Sequence, residues 1–115
     1  MKIYGIPNCD TVKKALNWFK ANDMDFEFYD FKKRGINESK LREWSETLGW
    51  EALINKKGTT WRKLDAATQA EITNEESAFR ILQEQPSMIK RPVIETANGL
   101  LTGFDESKYE EYFKK

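Results

Sequence analysis

Hydrophobic and polar positions change period along this chain, and each change marks an element. Ile3-Tyr4-Gly5-Ile6 is a short apolar run and predicts a buried strand. Pro7-Asn8 breaks it. A helix is predicted to begin near Cys9 to Thr11, because Val12, Ala15, Leu16 and Phe19 recur at i, i+3, i+4 and i+7. Lys13, Lys14, Asn17 and Lys20 take its wet side, and Asn22-Asp23 is the predicted stop. Asp25 to Phe31 is aromatic-rich and partly alternating, which predicts a second strand. Strand, helix and strand within some thirty residues make a βαβ unit, in which the strands run parallel.

The run Lys32-Lys33-Arg34-Gly35 closes that unit, and helical signals then dominate to about residue 86. Leu41, Trp44 and Leu48 share one helix face, and Gly49 is a natural stop. Trp50 to Ile54 reads as a further short helical turn, and Lys56 to Thr60 as a loop. Thr73 to Glu76 fits a capping box ahead of Ala78, Phe79 and Leu82, and Pro86 closes that helix.

The period then returns to two. Pro92 to Thr96 and Leu100 to Thr102 are short β-like runs joined by Ala97-Asn98-Gly99, and Asn-Gly in that position is a strong hairpin signal. Asp105 is placed to cap a last helix with Tyr109, Tyr112 and Phe113 on its apolar side. The predicted order is β-α-β, a helical insertion at about 36–88, then β-β-α, all in one domain over 1–115. A parallel βαβ followed by an antiparallel ββα is the thioredoxin arrangement, an α/β class.

Composition narrows the chemistry. At 115 residues, 39% apolar and 13% aromatic, the chain can bury one core. Lys plus Arg and Asp plus Glu balance at 19 each, so no overall field selects nucleic acid or an anionic membrane, and neither is expected as a direct partner. There is no histidine and one cysteine, so no internal disulfide, no metal site and no Ser-His or Cys-His pair is expected. The first residues do not read as a signal peptide, and a lone thiol without export signals fits the cytoplasm. A monomer is expected.

Cys9 is the residue most suited to chemistry. It falls where a strand hands over to a helix, and a helix N-terminus favours the thiolate, the reactive form. Thioredoxin-like redox motifs usually carry a second cysteine three residues on; here that position is Val12. Cys9 is therefore a monothiol that an outside thiol must resolve, glutathione being the abundant cytosolic one. The polar neighbours Asn8, Asp10 and Thr11 argue against deep burial. Asp10 and Thr11 also serve as first-turn residues, and the Asp10 carboxylate opposes the thiolate while Lys13 and Lys14 favour it. Pro92, opening the third strand, is where thioredoxin-like proteins place a cis-proline facing the cysteine loop. Arg91 would then lie near Cys9, able to stabilise a thiolate, a glutathione carboxylate or an oxyanion. Residues 50–64 carry Lys56, Lys57, Arg62 and Lys63 against Glu51, flanked by Trp50 and Trp61, a composition that suits an anionic ligand as well as a solvated loop.

Four blocks taken together carry a family resemblance: Tyr4 to Ala15, Leu48 to Leu53, Gly58 to Leu64 and Ile89 to Pro92. In these the chain resembles the glutaredoxin-type arsenate reductase (ArsC) and Spx family over nearly its whole length, and most closely the YffB-like branch. The resemblance implies a thioredoxin-like fold with a helical insertion. It implies Cys9 as nucleophile and Arg91 as its catalytic partner, with Asn8, Asp10, Thr11, Lys13, Arg62, Arg91 and Pro92 around the substrate or glutathione. The two further arginines that assist arsenate reduction would fall near Asn55 and Gly103, where none stands. What the resemblance then implies is a glutathione-dependent thiol reductase acting on a small-molecule or protein thiol, with glutathione as co-substrate and no bound cofactor. Two alternatives stay open: arsenate reduction with Arg62 as a substitute arginine, and a regulatory adaptor of the Spx type with RNA polymerase as partner. Val12 argues against the Cys-x-x-Cys switch common in those regulators.

Overall fold

The computed structural model describes residues 1–114. The chain forms two compact units, Met1–Asp30 with Arg91–Lys115, and Phe31–Lys90.

The first unit is built on a four-stranded sheet in the order β2-β1-β3-β4. Strand β1 spans Lys2–Gly5, β2 Glu27–Asp30, β3 Val93–Thr96 and β4 Gly99–Thr102. β1 pairs parallel with β2 and antiparallel with β3, with Ile3 opposite both Phe28 and Ile94. The α1 helix (Asp10–Ala21) links β1 to β2, and α7 (Glu106–Phe113) ends the unit. Alternation along the strands sends Ile3 and Ile94 to one face, where they meet Ala15, Trp18 and Phe19 of α1 and Tyr109 of α7. The rings there cluster: Trp18 and Phe19 each lie within 5.5 Å of Tyr109, centroid to centroid. The other face carries Tyr4, whose hydroxyl donates to Glu95 Oε1 at 3.1 Å and whose ring lies 5.1 Å from that of Tyr29.

The second unit is helical. It comprises α2 (Phe31–Arg34), α3 (Glu38–Leu48), α4 (Thr59–Lys63), α5 (Ala66–Ala70) and α6 (Glu75–Glu84), with single 3-10 turns at Glu51–Leu53 and Pro86–Met88. α3 packs on α6. Leu41 and Trp44 of α3 and Ala78, Phe79 and Leu82 of α6 are fully buried. Ile54 and Ile89 form an isolated antiparallel bridge, and Asn55 N–H donates to Met88 O at 2.8 Å.

Several predicted boundaries shift, each for a local reason. β2 is shorter than Asp25 to Phe31: Phe31 opens a helical turn and is fully buried there. Trp18 joins the buried stripe of α1, while Leu16 is half-buried against it. The stretch predicted as a loop to Thr60 turns helical at Thr59. The capping box lies one residue later than predicted. Asn74 accepts from Ser77 N–H at 2.9 Å, and Ser77 Oγ accepts from Asn74 N–H at 3.2 Å. Asn is as good an N-cap as Thr, and a serine hydroxyl reaches back as a glutamate would.

Candidate functional site

Cys9 is the N-cap residue of α1, in extended conformation (φ −141°, ψ 123°). Its C=O accepts from Lys13 N–H at 2.9 Å, the first bond of the helix. The sulfur is therefore held at the open end of the first turn, and the side chain is partly exposed. The Cys9 side chain makes no cap hydrogen bond. The N–H groups of Val12 and Thr11 instead face the sulfur and favour its anion.

Arg91 supplies the second half of the arrangement. The Arg91–Pro92 bond is cis, at the entrance to β3, and Pro92 is buried. Pro92 O accepts from Gly103 N–H at 2.9 Å, which ties this turn to the residue following β4. From that anchored position Arg91 Nε donates to Cys9 Sγ at 3.3 Å. Burial by itself would push the Cys9 thiol up. The Val12 N–H, the Arg91 hydrogen bond and charge, and the Thr11 N–H outweigh it, and the thiol is held below its ordinary value.

The remaining candidates divide. Asn8, Asp10, Thr11 and Lys13 flank the sulfur along the chain, and all four are exposed. Arg62 lies on α4 in the second unit and is exposed. In the same unit Lys56 Nζ sits 5.5 Å over the Trp61 ring. The residues standing where arginines were expected have other work. Asn55 Oδ1 accepts from Lys57 N–H at 3.2 Å, and Gly103 takes a φ of +73°, a value suited to glycine. The helix N-terminus was expected to favour the thiolate, but that Val12 and Thr11 supply the N–H groups has no side-chain signature. The helix start at Cys9 was their one indirect mark.

A parallel β-α-β and an antiparallel β-β-α enclosing a helical insertion, with cysteine at the head of the first helix, define a thioredoxin-like protein. The chain belongs to the ArsC family, whose profile matches residues 4–112. It is similar to the solved structure of a YffB protein (42% identity, TM-score 0.88, 96% of each chain covered). It is also similar to an arsenate reductase (ArsC) related protein from Brucella melitensis (43% identity, TM-score 0.78, 99% of this chain and 94% of that one). A global transcriptional regulator Spx from Lactiplantibacillus plantarum is 21% identical over 98% of this chain and 86% of its own. Among the described residues no helix is long and apolar enough to cross a membrane.

Proposed function

We propose that the protein is a glutathione-dependent thiol reductase in which Cys9 is the nucleophile. The observation that carries this reading is the 3.3 Å donation from Arg91 to a sulfur already seated at a helix N-terminus. Such a setting supports a thiolate at neutral pH. The Cys9 thiolate attacks the glutathione sulfur of a mixed disulfide. The Cys9–S–SG bond forms, the substrate S–SG bond breaks, and the substrate leaves as a thiolate that takes a proton from water. A second glutathione thiolate then attacks the bound glutathione sulfur, giving oxidised glutathione and the free Cys9 thiolate. The substrate is reduced and the second glutathione is oxidised. Arg91 holds the thiolate form at both ends of the cycle. Asn8, Asp10, Thr11, Lys13 and Pro92, near Cys9 and Arg91 along the chain, are the proposed contacts of the glutathione.

The experiment is direct. Incubation with oxidised glutathione is expected to give a single glutathione adduct by intact mass, located on Cys9 and released by added glutathione. Cys9→Ser is expected to lose both the adduct and turnover of a glutathione mixed disulfide. Turnover at the native rate in Cys9→Ser overturns the proposal.

A second reading draws on the likeness to an Spx regulator: an adaptor whose partner is RNA polymerase. It predicts partner capture that Cys9→Ala leaves unchanged. Arsenate turnover assayed with glutathione tests the remaining alternative, which Asn55 and Gly103 in place of arginines disfavour.

A further inference from the structure

We infer that Gly5 is a positioning residue for Cys9: a bare α-carbon in β1 lets Val12 seat against the strand and so sets where the first turn of α1 meets the sulfur and Arg91. The inference rests on Cys9 being the reactive group.

The backbone does not require glycine here. Gly5 is a strand residue paired with Asp30, and it is not one of the positive-φ glycines. Space does require it. An ideal Cβ on Gly5 would stand 2.9 Å from Val12 Cγ2, 3.2 Å from Val12 Cγ1 and 3.5 Å from Phe28 Cε1. Contacts near 3 Å between carbons are repulsive, so something must move. β1 is the poorer candidate, because it is bonded to β2 on one side and β3 on the other. Val12 is no easier to turn aside. It is fully buried, and a β-branched side chain in a helix has one strongly preferred rotamer. The remaining response is for the first turn of α1 to lift off the sheet.

Either form of that shift costs Cys9 a donor. If the turn moves without Cys9, the Val12 N–H leaves the sulfur. If Cys9 moves with the turn, the sulfur leaves Arg91, which stays with the cis Arg91–Pro92 turn tied to Gly103. In both cases the thiolate is less favoured. Gly5 acts on the sulfur through Val12, the side chain a Cβ there would meet first.

The test is alkylation of Cys9 by iodoacetamide across pH, with Gly5→Ala, Val12→Ala and the double variant. Gly5→Ala is expected to raise the midpoint of the titration and to slow alkylation at neutral pH about threefold to tenfold, tenfold being the effect of one pH unit. Val12→Ala keeps the backbone donor and sets the reference rate for the double variant. The double variant is expected to alkylate as Val12→Ala does, because the atoms that met the new Cβ are gone. Native alkylation in Gly5→Ala overturns the inference, as does a double variant slower than Val12→Ala. If Gly5→Ala does not fold, equal rates in the double variant and Val12→Ala support the inference and a slower double variant overturns it. The readout contains no glutathione. Failure of the reductase reading, seen as turnover in Cys9→Ser, is therefore distinguishable from failure here.

Discussion

Arg91 Nε and Cys9 Sγ meet at 3.3 Å although 82 positions separate them in the chain. The pairing is directional. The guanidinium offers a fixed N–H, and the sulfur accepts best as an anion.

Replacing the arginine should therefore act on reactivity before stability. Arg91→Ala is expected to slow alkylation of Cys9 at neutral pH by roughly tenfold, with a smaller loss in Arg91→Lys, which keeps the charge without the fixed fork. The pH profile of alkylation by stopped assay checks both, and an unchanged midpoint in Arg91→Ala contradicts the role given to it.

Serine at position 9 has an opposite consequence for the fold. The cysteine makes no cap hydrogen bond, whereas a serine hydroxyl in the same extended conformation is a strong N-cap. At pH below the folded midpoint of the thiol, Cys9→Ser is expected to be as stable as the native chain or up to about 1 kcal/mol more stable in urea, while losing thiol chemistry. A destabilised variant would show that the thiol packs more tightly than its exposure indicates.

The depressed Cys9 thiol also ties stability to pH. Its folded midpoint lies below that of the unfolded chain, about 8.5 for a free cysteine, so between the two the unfolded state holds more protons. Stability should rise with pH across that window, be fully present above it, and fall away as pH drops through the folded midpoint. The difference in urea midpoint between the native chain and Cys9→Ser, measured from neutral pH to the edge of tyrosine titration, reads this contribution alone.

Away from the site, Asn74 closes the capping box of α6. Asn74→Ala is expected to cost about 1 kcal/mol in chemical denaturation and to raise hydrogen exchange in the first turn of that helix. An unchanged denaturation midpoint would mean that water replaces the cap without loss.

The sequence announced the elements whose signals are local. Apolar periodicity marked α1, the Asn98-Gly99 pair marked the β3–β4 hairpin, and Asp105 marked the start of α7, where it accepts from Lys108 N–H at 3.2 Å. The βαβ order then placed Cys9 at a helix start and Pro92 at a strand entrance, and through them the meeting of Cys9 with Arg91. Signals that depend on tertiary contacts were silent. Nothing in the aromatic run from Phe26 to Phe31 says that Phe31 turns inward as a helix rather than continuing β2. Trp18 is polar enough at its ring nitrogen to read as a border residue. Its burial follows from Tyr109 and Phe113, more than ninety residues on, and from Glu110, which accepts from its Nε1 at 3.2 Å. Gly5 could have served a turn, a bulge or a close approach, and only the position of Val12 decides among these.

The first unit is made from two stretches of chain with sixty residues between them, and this gives the thiol a history during synthesis. Cys9 and α1 leave the ribosome early, with the helix end but without the arginine. Until Arg91 follows and β3 takes its place beside β1, the nascent thiol is less acidic than the finished one. The set of groups favouring the thiolate is complete only once Arg91 arrives, so an incomplete chain is expected to react more slowly with a thiol reagent than the complete protein.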